Sequence, residues 1–164
     1  MGFTTGITTQ DPRFPALMVW NALFGGDLTS KLFLNVREKR SLCYYASSNL
    51  EKMKGLLLVS SGIEFGQYQQ ARDEILAQLE AVRRGEMEDL ELEGARRTLI
   101  GGHRSTLDDQ SRLEEFWLGQ TAAGLDTGIE ELVESLKAVT REQVAAAAQK
   151  LELDTVYFLN GKEG

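Results

Sequence analysis

"LCYYASSNLEKMKGLLLVSSGIEF", residues 42–65, holds two runs rich in Tyr, Leu, Val and Ser on either side of Glu51-Lys52-Met53-Lys54-Gly55. Aromatic and branched side chains suit a pleated surface, and the corner glycine supplies a turn, so the stretch reads as a β-hairpin. Upstream, "MGFTTGITT" alternates Phe3, Thr5, Ile7 and Thr9 with smaller residues and reads as a strand that begins at residue 1, as in a piece of a longer protein. Downstream, "DTVYFLNG" at 154–161 reads as a short closing strand.

The remaining segments carry the helical period. Asp11-Pro12 introduces a helix with Phe14, Leu17, Met18, Asn21 and Ala22 on one side, ended by Gly25-Gly26. A second short helix starts near Thr29 or Ser30, buries Leu32, Phe33 and Val36, and ends in a basic turn. From Gln67 to Arg84, Tyr68, Ala71, Ile75, Leu79 and Val82 recur at three and four, and Gly85 stops the pattern. One long helix is expected from Glu88 to about Ala123, bent near Gly101-Gly102. Ile129 to Val139 and Arg141 to Lys150 follow, the latter opened by Thr140-x-x-Gln143 as a capping box. The order of elements predicts an α+β fold: a two-layer sandwich, one mainly antiparallel sheet covered on one face by helices.

With 164 residues, the chain is long enough to bury one core, and a single domain spanning 1–164 is expected. Hydrophobic residues at 42% and charged ones at 26% are those of a globular protein. Twenty-five acidic against 18 basic residues, a net charge of -7, give no cationic field for nucleic acid or anionic lipid, so neither partner is expected. One cysteine, no apolar run of about 20 residues and no signal peptide suggest a cytoplasmic chain.

Zinc hydrolysis typically needs three protein ligands with at least two histidines, and this chain has only His103. His103 therefore reads as a surface or packing residue, and Cys43, in an apolar-tending strand, as a buried inert thiol. The glycines of "LFGGDLTSK" lack phosphate-loop spacing and follow a helix, so a helix end and turn account for them. Glu86, Glu88, Asp89, Glu91 and Glu93 read as a solvated helix start. Arg37 and Tyr44 stand apart: one ends a helix, the other begins a strand, and the turn between them can bring a guanidinium fork and a phenolic O–H to one rim. Such donors can hold a peptide carbonyl or the oxyanion of a tetrahedral intermediate. An ordinary helix-end arginine and a packed strand tyrosine are the alternative.

"LFGGDLTSKLFLNVREKRSLCYYASS" resembles the C-terminal-half signature of the insulinase, pitrilysin and mitochondrial processing peptidase-like zinc metallopeptidases, through Gly25, Gly26, Ser30, Leu32, Phe33, Arg37, Glu38, Lys39, Arg40, Leu42 and Tyr44. Lys31, Ser41 and Cys43 depart from the commoner Arg, Gly and Ala, in the manner of bacterial members regarded as inactive partners. The resemblance implies a C-terminal domain with no catalytic residue and no metal site of its own. It further implies Arg37 and Tyr44 as substrate-binding residues. Zinc, on an H-x-x-E-H motif, is expected in a separate catalytic domain or partner, with a homologous N-terminal domain or second subunit and a peptide substrate as partners. Substrate clamping is the leading expectation; a regulatory partner subunit or a stand-alone peptide-binding or oligomerisation module are the others.

Overall fold

The computed structural model describes residues 1–161. The hairpin forms as expected: strands β2 (Tyr45–Glu51) and β3 (Leu56–Gly62) pair antiparallel, with Tyr45 opposite Gly62 and Glu51 opposite Leu56. Gly55 takes the corner at φ +63°, where a side chain would be strained. Strand β1 (Gly2–Thr4) pairs antiparallel with β3 on one side and with β4 (Glu152–Thr155) on the other, so the sheet order is β2-β3-β1-β4.

Alternation sorts the sheet into two faces. Phe3, Ala46, Leu57 and Val59 are buried inward, whereas Thr4, Ser47, Leu58 and Ser60 lie exposed on the other face. Helix α1 (Phe14–Asn21) contributes Ala16, Leu17, Val19 and Trp20 to the core. It continues as a π-wound turn, Ala22–Gly26, in which Phe24 stacks on Trp20 at 4.6 Å between ring centroids. A second π-wound helix, Leu32–Lys39, buries Leu32 and Val36. Helix α2 (Tyr68–Arg83) buries the expected Ala71, Ile75, Leu79 and Val82, and Gly85 stops it at φ +75°. Helices α5 (Ile129–Ala138) and α6 (Arg141–Ala148) close the layer. Thr140 and Gln143 form the capping box: the Thr140 N–H donates to Gln143 Oε1 at 2.8 Å and the Gln143 N–H to Thr140 Oγ1 at 3.3 Å. The architecture is the expected α+β fold.

Four local expectations are corrected. Strand β1 stops at Thr4 instead of running to Thr9, because the Thr5 hydroxyl folds onto Ile7 and Gly6 turns at φ +61°. The Asp11 carboxylate accepts from the Arg13 N–H ahead of α1 instead of capping the helix directly, and the Arg13 guanidinium beside it lowers its pKa to about 2. The long helix breaks at Thr106–Asp109, not at Gly101-Gly102, giving α3 (Asp89–Ser105) and α4 (Gln110–Ala122). Ser105 and Thr106 hydroxyls both donate to the Gly102 carbonyl, and Asp109 caps α4 by accepting from the Arg112 N–H. The closing ladder occupies Glu152–Thr155, so Val156 to Gly161 lie beyond it.

Candidate functional site

The π-wound helix ends in a wide, left-handed closure: the Leu42 N–H donates to the Val36 carbonyl at 3.0 Å and the Ser41 N–H to the Arg37 carbonyl at 2.9 Å, each spanning one residue more than in the closure of an ordinary α-helix. The closure places Ser41 at φ +50°, a left-handed conformation that suits glycine. It turns the chain from the helix into β2, so Arg37 is held at a fixed distance before the first strand residue. The Arg37 guanidinium lies over the Phe33 ring, 4.7 Å from its centroid, and its side chain is 41% exposed. Its Nε stands 3.8 Å from Glu38 Oε1.

Tyr44 is at the same rim but differently engaged. Its N–H donates to the Gly62 carbonyl at 2.7 Å, and its hydroxyl donates to the Glu64 carboxylate. Among the described residues no hydrogen bond joins Arg37 to Tyr44. The tyrosine that shares a cavity with Arg37 is Tyr45, whose ring covers Gly62. Successive residues of a strand point to opposite faces, so the doubled Tyr44-Tyr45 was the signal that only one of the pair could share the arginine's side.

That cavity, about 440 Å³, is lined by Gly25, Gly26, Leu28, Phe33, Arg37 and Tyr45 and runs along the outer edge of β2. The register directs Ser47 and Asn49 main-chain groups to β3, and those of Ala46 and Ser48 away from it. At Ser48 the edge is closed: a Cβ on Gly25 would stand 2.8 Å from the Ser48 nitrogen and 2.6 Å from its Oγ. Ser48 Oγ also donates to Asn21 Oδ1 at 2.7 Å. At Ala46 the main-chain N–H and C=O face the cavity beside Arg37. A guanidinium, a phenol and an unpaired strand edge can together hold the main chain of an extended peptide.

Residues read as chemically quiet have definite surroundings. Burial pushes the Cys43 thiol pKa up, against a weaker opposing pull from Ser61, and leaves it a poor nucleophile. His103 lies half-buried in α3, and burial followed by the nearby Lys52 charge lowers its pKa. Among the described residues no group of three or more His, Cys, Asp and Glu side chains is placed to hold a metal ion, so these residues do not fit a zinc centre. None of the described helices is long and apolar enough to cross a membrane. The acidic helix start does more than meet solvent: Glu91 accepts from the buried Lys31 Nζ at 2.9 Å and from the Glu88 N–H at 2.7 Å. Sixty residues separate Lys31 from Glu91, and no local pattern announces such a pair.

Residues 1–99 match the family described as the peptidase M16 inactive domain. The chain is 42% identical over 164 residues to the probable inactive metalloprotease YmfF of Bacillus subtilis, covering all of this chain and 38% of that protein. It is 27% identical over 154 residues to the uncharacterized zinc protease YmxG of the same organism, covering 92% of this chain and 37% of that one. A conserved protein from Enterococcus faecalis superposes with a TM-score of 0.86 at 34% identity, over 92% of this chain and 36% of that one. A peptidase M16 inactive domain from Pseudomonas fluorescens has the same fold, with a TM-score of 0.80 at 22% identity over 92% and 38% of the two chains. The chain thus spans a little over a third of the length of the curated relatives it matches.

Proposed function

This chain belongs to the peptidase M16 inactive-domain family, and on that premise we propose that it is the substrate-clamping, chamber-closing part of a larger peptidase-like protein. It supplies no metal ligand; a homologous domain or subunit bearing zinc on an H-x-x-E-H motif supplies the hydrolytic chemistry. The observation that carries the reading is the Arg37 guanidinium beside an open cavity that Ala46 also lines, on the side of β2 that pairs with no strand among the described residues. An extended peptide laid there exchanges main-chain hydrogen bonds with Ala46, and Arg37 donates to a substrate carbonyl. Tyr44, released from Glu64, is a second donor from the same rim.

The test uses the chain joined to, or mixed with, its zinc-bearing partner. Replacement of Arg37 by Ala lowers kcat/KM by about ten- to a hundredfold while the melting temperature holds; an unchanged kcat/KM overturns the clamp. Stoichiometric zinc with peptide turnover by this chain alone overturns the division of labour.

The name of the 42%-identical relative favours a second reading, in which the whole protein is a non-catalytic partner of a separate active peptidase. Under that reading the joined two-domain protein binds peptide but turns none over until the second subunit is added.

A further inference from the structure

We propose that the cavity beside Arg37 is a subsite for a basic side chain of the bound peptide and that Asp27 sets this preference, an inference that rests on the clamp at Arg37 and Ala46 and names the class of side chain the clamp selects. Ala46 and Ser48 are both buried on the inner face of β2. The Gly25 turn lies on that face, since a Cβ on Gly25 would stand 2.6 Å from Ser48 Oγ. Residues directly opposite each other in a ladder carry their side chains on the same face. A peptide residue laid along Ala46 therefore directs its side chain toward the turn, whose next residues, Gly26, Asp27 and Leu28, line the cavity.

The cavity walls hold one charge of each sign, and only the negative one lacks a partner. The Arg37 guanidinium lies over the Phe33 ring, and its Nε is 3.8 Å from Glu38 Oε1. Asp27 is half-buried and enters no ion pair among the described residues. Its Oδ1 accepts from the Thr29 N–H and the Thr29 hydroxyl, both at 2.7 Å, while its Oδ2 accepts no hydrogen bond among those residues. The turn thus needs an acceptor at this position but not a charge. A carboxylate partly withdrawn from water gains when a ligand brings a cation to it.

The remaining walls suit the stem that would carry such a cation. Leu28 is exposed and Phe33 half-buried, and both line the cavity of about 440 Å³. Lysine and arginine join a long aliphatic stem to a charged head, so one side chain covers this apolar surface and reaches the carboxylate. Glutamate in the same place meets Asp27 as a like charge, and leucine covers the apolar wall without answering the carboxylate. The net charge of -7 acts in the same direction at longer range.

The test measures binding, which needs no hydrolysis, to the full-length protein that carries this chain. Fluorescein-labelled Thr-Val-Thr-Xaa-Thr-Val-Thr peptides, with Lys, Leu or Glu at Xaa, are titrated by fluorescence anisotropy in EDTA. The Lys peptide binds about two- to fivefold tighter than the Leu peptide, the Glu peptide binds weakest, and the spread narrows at high salt. Asp27→Asn keeps an acceptor for Thr29, so the melting temperature holds while the Lys-to-Leu ratio falls to about one. Arg37→Ala is read on the uncharged Leu peptide alone and reports the clamp separately. Weaker Leu binding in Arg37→Ala, with no Lys preference in the parent or an unchanged ratio in Asp27→Asn, overturns the subsite and leaves the clamp standing. Undiminished Leu binding in Arg37→Ala overturns both.

Discussion

The two sides of strand β2 answer to different demands. On its inner side Ala46 and Ser48 are buried, and the Gly25 turn fits so closely against Ser48 that no side chain has room. At its outer rim Tyr45 and Ser47, with Tyr44 just ahead of the strand, are exposed beside a half-exposed arginine and an open cavity. One strand, seven residues long, thus anchors a core and borders a candidate site. Packing leaves the inner residues almost no alternatives, whereas nothing in the packing requires a guanidinium or a phenol at the rim. Residues that stability does not explain are the ones to test for function.

The sharpest way to break the contrast is at Gly25. Gly25→Ala drives a methyl to 2.8 Å from the Ser48 main-chain nitrogen, which cannot step aside without moving β2, and to 2.8 Å from the buried Leu32 Cδ1. A loss of about 2–3 kcal/mol is expected in chemical denaturation. Gly101→Ala is the control, because its Cβ meets nothing within 4 Å on an exposed helical surface, and a gain of about 0.5–1 kcal/mol is expected there. Equal effects at the two glycines would dissolve the distinction between packed side and rim.

The rim is tested by activity, not stability. Arg37→Ala in the assembled peptidase lowers kcat/KM by about ten- to a hundredfold, roughly 1.4–2.7 kcal/mol, with melting within a few degrees of the parent. Tyr45→Ala separates the tyrosine that the sequence singled out from the one that lines the cavity: a fall comparable to that of Tyr44→Phe makes Tyr45 a functional partner of Arg37, while no change leaves that role to Tyr44.

What sequence could say of this molecule followed from the range of the interactions involved. The hairpin, α2 and the α6 capping box were legible because period-two alternation, period-3.6 alternation and a three-residue cap are local signals. The helix break was misplaced because two glycines are tolerated inside α3, whereas hydroxyl bonds to Gly102 and the Asp109 cap decide where the helices divide. Arg37 and Tyr44 could be named from their spacing and the family pattern, but the Glu64 partner of Tyr44 and the cavity position of Tyr45 depend on where β3 lies. Lys31 with Glu91 was out of reach for the same reason.

A smaller effect is expected at the turn joining helix to rim. Ser41 holds φ +50° in the closure after the π-wound helix, so Ser41→Gly relieves a left-handed side chain and stabilises by about 0.5–1 kcal/mol. If the rim is positioned by this turn, kcat/KM changes little, because the closure itself is retained. A large fall in activity with a gain in stability would mean that the rim needs the strain.

The smallest effect concerns pH and lies far from the rim. His103 is half-buried in α3 with its pKa lowered by burial and by Lys52, so the folded chain binds a proton there less readily than the unfolded chain. Between the lowered folded value and an unfolded value of about 6.5, the unfolded state carries more protons, and stability rises with pH through that window. The contribution is complete above about pH 6.5 and is lost as the pH falls through the folded value. His103→Gln therefore flattens the stability-pH curve on the acid side of 6.5, read by denaturant midpoints. Any peptidase activity of the assembly should keep its own pH profile in the variant. A parallel shift of that profile would place His103 within the working site, and the separation between packed interior and functional rim would fail at α3.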